Sequence, residues 1–142
     1  MTSEEQALKA NEKFYEVFNK QDAEAMQQVW LDDDSITCVH PGWDVLKGVE
    51  TVMRSWKGIF QNSAPLDIRL SDVTAIASDN LVWVSCQENL YVISPDGVMT
   101  SSVYATNIFQ QVKGEWKMTL HHASPIPSKE TVKPDPNQRR DN

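Results

Sequence analysis

From residue 66 onward the chain switches from helical spacing to long strand-like runs. Leu66 to Ala77, Leu81 to Ser94, Val98 to Val112 and Trp116 to Ser124 are rich in β-branched and aromatic residues. Only Ser78-Asp79-Asn80, Pro95-Asp96-Gly97 and Lys113-Gly114 separate them. Side chains of these types fit a pleated surface, and connections this short join antiparallel neighbours, since a parallel pair needs a crossover of about a dozen residues. The four runs therefore predict an antiparallel meander.

What precedes the meander has helical period. Thr2 or Ser3 can cap a first helix whose apolar positions Ala7, Leu8, Phe14, Tyr15 and Phe18 recur at spacings of three and four, with Asn11 a polar exception, ending near Asn19-Lys20. Asp22 is a second N-cap, leading a short helix with Ala25, Met26, Val29 and Trp30 on its inner side before Asp32-Asp33-Asp34 stops it. The three aspartates read as a solvated turn rather than a metal site. Ser35 to Val39 reads as a brief strand broken by Pro41-Gly42, and Gly48 precedes a third helix, Val49 to Phe60, with Val52, Met53, Trp56, Ile59 and Phe60 on one face. Three helices followed by four long strands predict an α+β layout with the helices on one sheet face.

The 142 residues fit one domain, placed at 1–126, with a polar, proline-bearing tail at 127–142. A domain of this size buries roughly 70% of its unfolded surface, so it needs neither metal nor disulfide staples. A net charge of -7 makes nucleic acid and anionic membrane poor partners. The two cysteines, Cys38 and Cys86, lie in apolar runs and read as reduced core thiols. With no basic, apolar leader at Met1 and no apolar run long enough to span a membrane, the expected compartment is the cytoplasm. No phosphate loop, nucleophile elbow or HExxH helix occurs, and neither a metal nor a cofactor is expected. Several of the five tryptophans are expected to share a cavity wall.

Candidate site residues come from polar groups in apolar surroundings. His40 lies in Cys38-Val39-His40-Pro41-Gly42-Trp43, and the other two histidines are adjacent, His121-His122. Neighbours on a strand point to opposite faces, so only one of that pair can join His40. A regular last strand puts His121 with Thr119 and Ala123, and His122 with Met118 and Leu120. On the meander, Trp83, Ser85, Gln87 and Asn89 share one face, as do Ala105, Asn107 and Phe109. Gln87 and Asn107 are expected to bond each other or await a ligand, because a buried amide group without partners costs about 1–3 kcal/mol. Glu88 falls on the opposite face from Gln87, where a buried carboxylate suggests an interface pair.

Taken together, the Asn19-Lys20-Gln21-Asp22 junction, the aspartate turn, the strand ending His40-Pro41, Gly48 before the third helix, and Gly114-Glu115-Trp116-Lys117-Met118 running into His121-His122-Ala123-Ser124-Pro125 resemble the nuclear transport factor 2-like superfamily. The likeness is to its SnoaL-like, ketosteroid-isomerase-related branch and covers about residues 3 to 126. It implies a cone-shaped α+β barrel, in which a curved, mostly antiparallel sheet wraps three N-terminal helices around an internal pocket, and a homodimer through the outer sheet face. The isomerases' catalytic tyrosine falls on Phe14, one place before Tyr15, and their base aspartate on His40. On a helix one position swings a side chain by about 100°, so the oxyanion donor is expected to be missing. The arginines that line the pocket of the related kinase association domains fall on Gln87, Asn107 and Ala123, which implies a neutral or weakly polar ligand.

The expected site gathers Phe14, Tyr15, Trp30, His40, Trp43, Trp56, Gln87, Asn107 and His121 around a small, largely apolar molecule. Alternatives are an isomerase, cyclase, dehydratase or hydrolase with His40 as general base and Tyr15 assisting, or a non-catalytic dimerisation domain.

Overall fold

A computed structural model describes residues 1–127. Helix α1 spans Ser3–Lys20, its first turn held by Thr2, whose hydroxyl accepts from the Glu5 amide, and its end marked by Gln21 at φ 55°. Helix α2, Ala23–Val29, is capped by Asp22 as expected. Strand β1 is only Thr37–Val39, and an unforeseen two-residue strand β2, Leu46–Lys47, pairs antiparallel with it. Helix α3 covers Val49–Asn62. The meander follows as β3 Leu66–Ser78, β4 Leu81–Ser94, β5 Gly97–Val112 and β6 Glu115–Pro125.

The six strands form one sheet in the order β2-β1-β6-β5-β4-β3, with β1 parallel to β6 and every other pair antiparallel. The sheet is open, with β2 and β3 as edges, and the three helices fill its concave side to complete an α+β cone. The turns explain why the meander was legible. Lys113 and Gly114 both have positive φ, 53° and 80°, as a two-residue hairpin demands. Asp79, at φ 51°, performs the same task between β3 and β4.

Two irregularities set which side chains face inward. The β3–β4 register shifts between Ser71 and Thr74, and the β5–β6 register shifts beside Ile108 and Phe109. Ile108 pairs with Leu120 but Phe109 with Met118, so Thr119 is the extra residue of a bulge. The bulge corrects the expected parity of β6: Met118 is buried alongside His121 and Ala123, and Thr119 is not. Among the described residues, no helix is long and apolar enough to cross a membrane. The expected tail at 127–142 falls almost wholly outside them.

Candidate functional site

The concave side of the sheet holds a chain of polar groups inside an apolar core. On β4 the inward set is Val82, Val84, Cys86 and Glu88, all buried, and on β5 it is Val103, Ala105, Asn107 and Phe109. The inward face of α1 presents Ala7, Asn11, Phe14 and Tyr15 to them. Asn107 Nδ2 donates to Asn11 Oδ1 at 2.8 Å and to Tyr15 Oη at 3.1 Å. Its two amide protons being so used, Oδ1 is the acceptor for His121 Nδ1 at 2.6 Å, which fixes the proton on that ring nitrogen. The Tyr15 hydroxyl in turn donates to Glu88 Oε2 at 2.6 Å. Every bond in the series from His121 through Asn107 and Tyr15 therefore points its proton toward the Glu88 carboxyl.

His40 stands apart from this series, though within reach of it. Its ring centroid lies 6.4 Å from that of His121 and 4.7 Å from Trp56. Ser55 spends its one proton on the Val52 carbonyl at 2.6 Å, so His40 Nε2 donates to Ser55 Oγ at 2.9 Å. Phe14 packs edge-on to Tyr15, Phe18 and Trp56, and Phe60 closes the ring cluster.

Burial shifts each of these groups toward its neutral form. It pushes Glu88 up to about 7 against a smaller lowering from the Tyr15 hydroxyl. It pulls His40 down to about 4, and His121 to about 3 with help from the neighbouring histidines. Burial, then the Glu88 charge, raises Tyr15 well above the usual phenol range. The thiols of Cys38 and Cys86, both free and buried, are raised by burial too, Cys38 to about 12. One buried donor of this region, Trp56 Nε1, has no partner, and Asn11 Nδ2 has only the Cys86 sulfur within reach.

The expected site residues divide. Phe14, Tyr15, His40, Trp56, Asn107 and His121 do converge. Gln87 does not: the odd-numbered face of β4 looks outward, and the Gln87 amide donates to Asn89 on that outer surface. The register sets Gln87 against Tyr104 and Asn107 against Val84, so the expected amide pair does not form. Glu88 is correspondingly an interior group rather than a member of an outer interface pair. The one-residue displacement from Phe14 to Tyr15 does not remove the phenol either, since both rings face inward. Trp43 stacks edge-on to His40 but is 48% exposed at the rim. Trp30 belongs elsewhere, in a cavity of about 360 Å³ between the end of α2, the start of α3 and the β5–β6 turn. The tryptophans therefore do not share one wall. A second cavity, about 530 Å³, lies between α1, α2 and the start of β6. Neither cavity is lined by members of the polar series. Sequence reasoning missed Asn11 and Ser55 as members of the site and assigned Glu88 to an interface pair. The signal available for Asn11 was its interruption of an apolar helical stripe. Among the described residues there is no cluster of potential metal ligands.

A cone of this shape, with helices closing a curved sheet over buried ionisable groups, defines a class of small α+β domains. Within that class the chain belongs to the SnoaL-like domain family, whose model matches residues 7–128. A solved structure of a proposed dehydratase of the NTF2-like family from Streptomyces avermitilis is 33% identical, with a TM-score of 0.82, covering 87% of this chain and 97% of that one. A proposed calcium/calmodulin-dependent protein kinase type II association domain from Thiobacillus denitrificans is 28% identical, with a TM-score of 0.76, covering 83% and 93%. F-box protein SKIP8 of Arabidopsis thaliana is 26% identical over 117 residues, 82% of this chain, which spans 48% of that relative's length.

Proposed function

We propose that this chain binds a small organic molecule with an apolar body inside the cone, in contact with Tyr15, Asn107, His121 and the ring cluster. The observation that carries the reading is the directed polar series itself. An all-apolar filling of the same space is the cheaper way to stabilise a core. Here the chain instead keeps five hydrogen-bonded polar side chains there, Asn11, Tyr15, Glu88, Asn107 and His121, along with the Trp56 N–H left unmatched at a cost of about 1–3 kcal/mol. A ligand oxygen placed against Trp56 Nε1 recovers that cost. A thermal-shift screen over small aromatic metabolites tests the reading, with stabilisation of about 2.7 kcal/mol expected at a hundredfold excess over Kd. Failure of every compound to raise the melting temperature would remove the interior site.

A catalytic version of the same site is favoured by one contact, the Tyr15 phenol on a carboxyl held near neutrality, and it accords with the dehydratase proposed for the Streptomyces relative. In that version His40 is a poor base, because burial resists its protonation.

The second reading is a homodimer through the outer sheet face, favoured by an uncharged row across four strands: Ile76, Trp83, Ile108 and Leu120. It is compatible with the interior site. A cytoplasmic setting accords with the two free thiols.

A further inference from the structure

Glu88 is 2% exposed, and no lysine or arginine is among the buried residues described. The other buried polar groups are Asn11, His40, Ser55, Asn107 and His121, none of which carries a positive charge at neutral pH. A carboxyl in such a place lacks the counter-ion that usually accompanies it. Through Tyr15 it adjoins a cluster of aromatic rings, Phe14, Phe18, Trp56 and Phe60, whose electron-rich faces attract cations. A ligand carboxylate entering here would find no cation, whereas an ammonium would find both a carboxylate and ring faces. The net charge of -7 concentrates cations at the surface as well. Phe18 and Phe60 are only half-buried, so the ring cluster reaches the surface on their side.

We propose that the interior takes small organic amines, with the ammonium at Glu88 and the apolar body among the rings of Phe14, Phe18, Trp56 and Phe60. This rests on the cone interior being a ligand site. Within the interior Glu88 alone titrates between about pH 6 and about pH 8. Of the groups packed on it, Tyr15 from α1 and Cys86 from β4 stay protonated, and β3 and β5 contribute Leu70 and Val103. His40 and His121 stay neutral.

Isothermal titration calorimetry of the full chain with phenethylamine, phenethyl alcohol and hydrocinnamate, at about pH 6 and about pH 8, tests the assignment. Phenethylamine should bind about tenfold tighter at the higher pH, where the carboxyl is ionised and the amine still protonated. The alcohol should show no pH dependence, and hydrocinnamate should not bind. Glu88→Gln should abolish the pH dependence and weaken the amine by about tenfold or more. If that variant fails to fold, the wild-type pH comparison still decides. Binding of the alcohol or hydrocinnamate without the amine, or amine binding that is equal at both pH values, overturns the amine reading alone. Binding of none of the three overturns the interior site along with it.

Discussion

Glu88 and the two interior histidines act on folding stability in opposite directions as pH changes. Glu88 holds its proton more tightly folded than unfolded, about 7 against the usual 4.5, so its contribution is full below 4.5 and lost as pH rises through 7. His40 and His121 are depressed to about 4 and about 3 from 6.5, so theirs is full above 6.5 and lost as pH falls through those folded values. Between about pH 5 and about pH 6, unfolding therefore takes up nearly two protons at the histidines and releases nearly one at Glu88. Stability should rise with pH across this window, and Glu88→Gln should about double the slope by deleting the opposing group. Urea denaturation at several pH values measures it, and an unchanged slope would show that Glu88 is solvated. The same residue marks how far a sequence can be read. Strand alternation separated Glu88 from Gln87 correctly, but alternation is symmetric and says nothing about which face a sheet turns inward. Phe14, Tyr15 and Trp56 were legible because a helix stripe is apolar on one side only, whereas on β4 both faces carry large apolar residues.

At the level of elements, boundaries were written in local chemistry and curvature was not. The helix caps and hairpin turns depend on residues within three or four positions, so Thr2, Asp22 and the Lys113-Gly114 turn stand where the side-chain chemistry requires. The bulge at Thr119, which returns Met118 to the interior, answers to the bending of the whole sheet and has no local signature. Nor has the two-residue strand β2, which exists through pairing with β1. The Thr2 cap offers a direct measure of the local part. Thr2→Ala leaves the Glu5 amide without its side-chain acceptor and should cost about 1 kcal/mol in urea denaturation, without altering the interior. A loss below about 0.3 kcal/mol would mean that water replaces the hydroxyl at no cost.

For the molecule as a whole, the convex side of the sheet makes the sharpest demand. Three successive rows cross β3 to β6 there: Ile76, Trp83, Ile108 and Leu120; Thr74, Ser85, Thr106 and His122; Ser71, Gln87, Tyr104 and Ser124. None contains a lysine, arginine, aspartate or glutamate. Ile76, Trp83 and Tyr104 are exposed by 51%, 37% and 44%. A charge-free face with exposed aromatic centres is unusual for a surface that meets only water. Three rows at about 6.6 Å repeat across four strands at about 4.8 Å spacing offer on the order of 380 Å², about half of the ~800 Å² that each partner gives to a standard interface, so the flanking rows must contribute the rest. A twofold arrangement lets the same rows meet themselves, and a lysine at the centre of the apolar row would then be buried against its own copy. Light scattering at about ten micromolar should give a dimer for the wild-type chain and a monomer for Trp83→Lys, while Glu88→Gln, altered only inside the cone, stays dimeric. A monomeric wild-type chain at that concentration would assign the uncharged face to some other role and leave the interior site untouched.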